Sequence, residues 1–179
     1  MKKSSKYHND SPADPESASV PPASLLPPNF RIQRIISGGQ TGVDRAGLDA
    51  AIHLGIEHGG WCPLGRRSED GPIPDQYQLV ELDSPNYSDR TRQNVLDSDG
   101  TLILYGGRLQ GGTLLTARYA TQLNKPCLKI RLSGRVSCEQ LISWIESNHI
   151  SILNIAGPRA SSDSKIYAKA YRYIVKSLA

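Results

Sequence analysis

The sequence predicts an α/β fold in which a mainly parallel, doubly wound sheet carries helices on both faces. From residue 31 to the C-terminus, short runs rich in β-branched and apolar residues alternate with longer segments of helical periodicity. This alternation favours a parallel sheet, because parallel neighbours need a crossover connection between them. In addition, the run at residues 101–105 (TLILY) is almost entirely apolar, which is typical of a strand buried on both faces.

The predicted elements follow one another in a regular order. Strands are predicted over residues 32–36, 56–61, 101–105, 126–130 and 152–156. Helices are predicted over residues 43–54, 88–96, 112–123, 138–147 and 164–178. Between the second strand and the second helix, residues 78–82 are either a peripheral strand or irregular structure.

The composition indicates a single globular domain, residues 31–179, preceded by a tail. Hydrophobic residues make up 38% of the chain and charged residues 21%, as in ordinary globular proteins. Residues 1–30 hold six prolines, six serines and few bulky apolar residues, so this segment is predicted to be disordered. The chain contains no run of 18 or more apolar residues, which argues against a membrane-spanning helix.

Charge and cysteine content narrow the expected partners and compartment. The net charge is +4, but no basic run exists to follow a phosphate backbone, so an anionic small molecule is expected rather than nucleic acid. The three cysteines form no C-x-x-C pair, which argues against a disulfide framework or a zinc ribbon. The tail has neither the apolar core of a signal peptide nor the arginines of a transit peptide. A cytoplasmic location is therefore expected.

Glycine-containing turns follow three of the predicted strands and lead into helices. They are residues 37–42 (SGGQTG), 106–113 (GGRLQGGT) and 156–162 (AGPRASS). In a parallel sheet these turns lie at the carboxyl edge, where ligands bind and where free helix N–H groups attract anions. The sequence therefore predicts a site for phosphate or another oxyanion. Its candidate residues are Gly38, Gly39, Gln40, Thr41, Gly42, Arg108, Gly111, Gly112, Thr113, Gly157 and Arg159.

Other side chains near this edge allow two interpretations. Thr41 and Asp44 have the spacing of a helix N-cap followed by an acid three residues later. Asp44 therefore has either a helix-capping role or a ligand-binding role. An ionised Asp44 would repel a phosphate unless it points aside or binds a donor group. Arg90 is predicted to form a structural salt bridge. Arg66 and Arg67 also follow a strand, but surface arginines of this kind are usually solvated.

The motifs of common enzymes are absent from the sequence. It has no G-x-x-x-x-G-K-[ST] loop, no G-x-G-x-x-G fingerprint, no H-E-x-x-H pair and no G-x-S-x-G elbow. No nucleophile, base and orienting group can be assembled, so neither catalytic residues nor a metal site is predicted.

Seven segments together resemble the molybdenum-cofactor carrier family, also described as the circularly permuted YpsA branch of the SLOG superfamily. The segments are residues 37–44 (SGGQTGVD), 59–66 (GGWCPLGR), 69–71 (EDG) with 73–74 (IP), 90–91 (RT) with 94–95 (NV), 97–101 (DSDGT), 111–113 (GGT) and 153–159 (LNIAGPR). The resemblance runs from about residue 32 to the C-terminus and therefore covers nearly all of the predicted domain.

The resemblance implies a Rossmann-like domain that forms homo-oligomers, either dimers or tetramers. It implies a carrier that binds molybdenum cofactor, a phosphate-bearing pterin, or a nucleotide-like ligand without transforming it, and molybdoenzymes that receive the cofactor. The glycine loops and Arg159 match the family's motifs, so they are the residues to which a binding role is transferred.

The cytokinin-activating phosphoribohydrolases, which have a lysine-decarboxylase-like motif, suggest an alternative function. Their motif resembles G-G-x-G-T-x-x-E and ends in a catalytic acid. In this chain Thr116 stands three residues after Thr113, and a hydroxyl cannot replace a carboxylate as an acid or base near neutral pH. This difference favours binding over hydrolysis, although an enzyme or sensor that acts on a nucleoside phosphate remains the alternative.

Overall fold

A computed structural model describes Met1 and residues 31–134 and 136–179. Apart from Met1, the predicted disordered tail lies outside these residues. The strands are β1 (Arg34–Ile36), β2 (Glu57–Gly59), β3 (Trp61–Cys62), β4 (Arg67–Ser68), β5 (Gly71–Pro72), β6 (Val80–Glu81), β7 (Gly100–Tyr105), β8 (Cys127–Arg131) and β9 (Ile152–Ala156). The helices are α1 (Val43–Leu54), α2 (Tyr87–Leu96), α3 (Gly111–Gln122), α4 (Glu139–Ser147) and α5 (Ile166–Leu178).

The central sheet has five parallel strands in the order β2-β1-β9-β7-β8. Ile35 of β1 is opposite Leu153 of β9, and Leu102 of β7 is opposite Ile155. From β1 the chain passes through α1 to β2 on one side, and from β7 through α3 to β8 on the other. The connections thus diverge around β9, which makes this position the switch point of the sheet. The predicted doubly wound, Rossmann-like α/β fold is confirmed.

The helices form two groups because side chains on each strand alternate between the two faces of the sheet. Leu102 and Leu104 belong to the main hydrophobic cluster, which α1, α4 and α5 complete. Thr101 and Ile103 are also fully buried but lie outside that cluster. Their face is partly polar, since Asn154 Nδ2 donates a hydrogen bond to Thr101 Oγ1 over 3.1 Å. Helices α2 and α3 pack against each other and contribute nothing to the main cluster.

The predicted strand at residues 56–61 is divided in the structure. β2 ends at Gly59, and Gly60 has a φ of +123°, so β3 leaves the central sheet and pairs with β6 instead. A side chain at Gly60 would lie 2.2 Å from the Ser37 carbonyl oxygen, which excludes other residues there. Of residues 78–82, which allowed a peripheral strand or irregular structure, only Val80–Glu81 form a strand, the two-residue β6 that pairs with β3.

A smaller apolar cluster supports the segment between β2 and α2. It consists of Leu48, Cys62, Ile73, Tyr77 and Leu79. The Tyr77 hydroxyl donates to Asp49 of α1 over 2.8 Å, and Tyr167 of α5 donates to the other oxygen of the same carboxylate over 2.7 Å. Burial and the neighbouring Asp49 carboxylate raise the pKa of Tyr77 to about 12. The hydrogen bond from Tyr77 to Asp49 therefore fixes the segment to α1.

The first and third glycine loops meet at the carboxyl edge of the sheet. The Val43 N–H donates to the Pro158 carbonyl over 3.2 Å, and the Ala160 N–H donates to Thr41 Oγ1 over 3.1 Å. Gly42 has a φ of +79°, and a Cβ there would lie 2.3 Å from the Pro158 carbonyl oxygen. Glycine is therefore required for the two loops to approach each other. Among the described residues, no helix is both long enough and apolar enough to cross a membrane.

Replacing Gly42 by alanine is expected to lower the free energy of unfolding by about 2 kcal/mol or more, because a positive φ and a backbone clash act together. Urea unfolding monitored by circular dichroism measures the change. Gly55→Ala is the control, since Gly55 also has a positive φ (+68°) but no atom within 4 Å of its added Cβ. That variant should lose only about 1 kcal/mol. Equal losses in the two variants would contradict the loop contact.

Candidate ligand-binding site

A cavity of about 1070 Å³ lies at the carboxyl ends of β1, β9 and β7, where the three glycine loops meet. The N-terminal part of α2 forms its remaining wall. Seven of the predicted site residues line this cavity: Gln40, Arg108, Gly111, Gly112, Thr113, Gly157 and Arg159. The other four, Gly38, Gly39, Thr41 and Gly42, are not among the residues that line it. Contact of any of these eleven residues with a ligand stays a prediction.

The four residues outside the lining support the cavity from behind. The guanidinium of Arg90 lies on Gly38, where an added Cβ would fall 1.3 Å from Arg90 Nη1. Gly39, with a φ of +73°, packs against Ile73 and Leu79 of the smaller cluster. Thr41 and Gly42 hold the third loop, as described above. These residues therefore act through loop packing in the structure.

The second loop offers free backbone N–H groups to the cavity. Helix α3 begins at Gly111, and its N-cap residue Gln110 makes no side-chain capping bond. Among the described residues, no atom lies within 4 Å of a Cβ added at Gly107, Gly111 or Gly112. The first turn of α3 therefore opens on the cavity, and its N–H groups and helix dipole favour an anion there.

The other two loops use several of their N–H groups for bonds within and between the loops. At the start of α1, the Arg45 N–H donates to the Gln40 carbonyl over 3.2 Å, in addition to the Val43 bond to the third loop. In the third loop, the N–H groups of Ser162 and Asp163 both donate to the Arg159 carbonyl. These loops consequently contribute mainly the side chains of Gln40 and Arg159 to the cavity, whereas the start of α3 contributes backbone donors.

Four cationic side chains line the cavity: Arg90, which is paired with Asp44 at the inner wall, and the exposed Arg108, Arg159 and Lys165. The Arg159 guanidinium lies 5.2 Å from the centre of the Tyr87 ring, a cation–π contact between the third loop and α2. Sequence analysis did not identify Lys165 or Tyr87, because neither lies in a glycine turn. The cationic groups and the α3 N-terminus together give the cavity the charge needed to bind an oxyanion.

The predicted arginines of the segment after β3 have structural roles. The Arg66 guanidinium donates to the carbonyl oxygens of Ile73, Pro74, Tyr77 and Leu79, at 3.0–3.2 Å. Arg67 donates to the Pro85 carbonyl over 2.9 Å. Neither arginine lines the cavity.

Asp44 and Arg90 form an ion pair at the inner wall of the cavity. Arg90 Nη1 lies 3.0 Å from Asp44 Oδ2, and the side chains are 14% and 5% exposed, respectively. Burial raises the pKa of Asp44, and the charge and hydrogen bond of Arg90 oppose this shift. The predicted structural salt bridge of Arg90 is present. Because Asp44 is paired with this donor, its charge is partly neutralised and repels a neighbouring anion less.

Glu69 connects three segments around the site, a role that sequence analysis missed. Its carboxylate accepts hydrogen bonds from the Thr41 hydroxyl and from both the N–H and the hydroxyl of Ser161. Burial opposes ionisation, but the bonds from Ser161 and Thr41 outweigh it and lower the pKa of Glu69. The neighbouring Asp70 binds Arg45 through two bonds of 2.6 and 2.7 Å. In the sequence, the one signal of this role is the pair of adjacent acids at residues 69–70.

Glu69→Gln is expected to lower the free energy of unfolding at pH 7 by less than about 1 kcal/mol, because the carboxylate is exposed. Since folding lowers the pKa of Glu69, its stabilisation is present above the pKa of the unfolded chain and lost as pH falls through the folded value. The difference from wild type should therefore be constant well above the ordinary Glu pKa of about 4.3 and shrink as pH falls below it. Thermal unfolding at pH 3–8 measures it, with Asp83→Asn as the control for charge. A difference that does not change with pH would contradict this role.

The family model for the circularly permutated YpsA SLOG family matches residues 35–178. The crystal structure of a protein named "Putative molybdenum carrier protein", from Syntrophus aciditrophicus SB, is 53% identical in sequence, with a TM-score of 0.79. The similarity covers 83% of this chain and 96% of that one.

No protein with a curated description matches the chain. A further solved structure, (E)-4-hydroxy-3-methyl-but-2-enyl diphosphate reductase, has 12% identity over 80% of this chain and 59% of its own, with a TM-score of 0.35. That likeness is too weak to bear on fold or function. The family match and the 53% identity, by contrast, span the strands, helices and loops that form the cavity. The chain therefore belongs to the circularly permuted YpsA SLOG family.

Proposed function

We propose that the protein binds molybdenum cofactor, a phosphate-bearing pterin, and carries it chemically unchanged. The observation that supports this most directly is the uncapped N-terminus of α3, which opens on a cavity shared with Arg108 and Arg159. The Syntrophus relative is named as a molybdenum carrier protein, which favours this cargo over other anions.

The phosphate is assigned to the first turn of α3. The N–H groups there have the positive dipole end of the helix behind them, and the glycines leave room for close approach. Arg108 precedes this turn, and Arg159 faces the same cavity from the third loop. Guanidinium groups bind phosphate oxygens through paired hydrogen bonds, which complements the backbone donors.

The cavity volume indicates a ligand larger than a single oxyanion. Pockets for small organic molecules commonly measure about 300–1000 Å³. A volume of about 1070 Å³ leaves room for a ring system in addition to a phosphate. The polar wall around Gln40 and Asp44 is suited to hydrogen-bond such a ring.

The groups around the cavity favour binding over hydrolysis. Thr116 stands where the phosphoribohydrolases carry their acid, and its hydroxyl donates to the Gly112 carbonyl within α3 over 2.9 Å. Asp44 is paired with Arg90, and Asp163 accepts the Lys165 N–H over 3.0 Å. The carboxylates that line the cavity thus already have structural partners.

Four expectations about partners and location stay predictions. They are a homo-oligomer of two or four subunits, transfer of the cofactor to molybdoenzymes, a cytoplasmic location and the absence of nucleic-acid and membrane partners.

Native mass spectrometry of the purified protein tests the proposed function. The expected result is a bound phosphate-bearing pterin, whose oxidised form fluoresces after acid release. Incubation with nucleoside monophosphates tests the alternative, an enzyme or sensor of the phosphoribohydrolase type. Release of free base would overturn the carrier proposal and support the enzyme.

Arg159→Ala is expected to weaken binding of neopterin monophosphate about tenfold, because one charge-assisted hydrogen bond is lost. The melting temperature should stay nearly unchanged, since the side chain is exposed and makes no hydrogen bond or ion pair with the described residues besides its cation–π contact with Tyr87. Fluorescence titration measures the affinity. Arg118→Ala is the matched control, because Arg118 is exposed on α3 away from the cavity lining. A large loss of stability with unchanged binding would show that Arg159 is structural.

A further inference from the structure

Two neighbouring residues on the inner wall of the cavity have polar atoms without a function in the fold described so far: the side-chain nitrogen Nε2 of Gln40 and the carboxylate oxygen Oδ1 of Asp44. The Nε of Arg90, on the same wall, is likewise buried without a partner among the described residues. Gln40 and Asp44 both line the cavity, and each is only 4% exposed. Their chemistry indicates which edge of a ring this wall accepts. The inference rests on the proposed function, because it concerns the ring of the phosphate-bearing ligand.

The backbone fixes the orientation of the Gln40 amide. Its Oε1 accepts hydrogen bonds from the Thr41 N–H over 3.0 Å and from the Glu69 N–H over 2.9 Å. Two donors can face only the oxygen, so Nε2 must point away from them. Nε2 is buried and finds no acceptor among the described residues. An unpaired buried donor is unfavourable in the free protein, and a ligand that supplies an acceptor removes that cost.

Asp44 offers the opposite chemistry beside it. Both hydrogen bonds of the carboxylate are accepted by Oδ2, from Arg90 Nη1 over 3.0 Å and from the Gln40 N–H over 3.3 Å. Within the described part of the chain, no group donates to Oδ1. The Gln40 N–H donates directly to the Asp44 carboxylate, so the two residues lie side by side in one turn. The wall therefore presents a donor next to an acceptor.

We propose that Gln40 Nε2 and Asp44 Oδ1 recognise the 2-amino-4-oxopyrimidine edge that guanine and pterin rings share. The ring carbonyl accepts from Gln40, and the ring N–H and exocyclic amino group donate to Asp44. The adenine edge has the reverse order, with an amino donor where the carbonyl stands and a bare nitrogen where the N–H stands. With adenine, the amino group would face the Gln40 Nε2 donor and the bare ring nitrogen would face the Asp44 Oδ1 acceptor. The wall therefore selects against adenine.

Isothermal titration of the full-length protein with four probes tests this selection. GMP and neopterin monophosphate are expected to bind at least about tenfold more tightly than AMP, since one well-placed polar contact is worth about that factor. IMP, which lacks the 2-amino group, should bind about tenfold more weakly than GMP. These comparisons use the unaltered chain and do not depend on how a variant folds.

Gln40→Glu reverses one contact with little change of shape. The variant keeps an oxygen for the Thr41 and Glu69 N–H groups but replaces the Nε2 donor by an acceptor. The ratio of GMP to AMP affinity should fall about tenfold or more. Gln110→Glu is the matched control, because it adds the same charge at another cavity position. It should weaken GMP and AMP equally and leave their ratio unchanged.

The outcomes separate this inference from the proposed function. If ribose 5-phosphate, GMP and AMP all bind with similar affinity, an anion site exists and the recognition of the ring is overturned. If no phosphate ester or neopterin monophosphate binds, the proposed function itself fails. A GMP to AMP ratio that is equally low in Gln40→Glu and Gln110→Glu would also overturn the assignment to Gln40.

Discussion

The close approach of the first and third loops is the constraint on which the cavity depends. The Gly42 backbone leaves no room for a side chain against Pro158, and the Val43 N–H binds the same carbonyl group. Because β1 and β9 are neighbours, this contact closes one side of the carboxyl edge and leaves the cavity open toward α3. The Glu69 carboxylate reinforces it from outside through Thr41 and Ser161. A binding wall is thus built from bonds that never reach the ligand.

Similar glycine loops perform different tasks around this edge. The first and third use their N–H groups to hold one another and present side chains, whereas the second leaves the start of α3 free. The inner wall, with Gln40 and Asp44, therefore differs chemically from the outer part, where Arg108, Arg159 and Lys165 are exposed. A ligand with a polar ring at one end and a phosphate at the other matches both parts. This division supports a role in selective retention.

Alternation of strands and helices was enough to predict the fold, because each long run has an unambiguous apolar pattern. The glycine turns predicted where the cavity lies, since strand ends of a parallel sheet share an edge. Sequence patterns could not separate Gly42, which serves packing, from Gly112, which faces the cavity, because both simply follow a strand. The contacts of Glu69, Tyr87 and Lys165 depend on long-range folding and have no local motif. Likewise, the break at Gly60 follows from the approach of Ser37, a residue of another strand end.

The position of β9 has a consequence for biosynthesis. This strand lies in the middle of the sheet, yet it is the last strand in the chain, and Ser37 binds the Ile155 carbonyl across 118 residues. While the ribosome is still adding residues, β1 and β7 each expose an unsatisfied edge. The nascent chain can complete its central layer only when β9 inserts between them, which is a slow, non-local event. Until then the unfinished protein is open to association with other chains and suited to protection by chaperones.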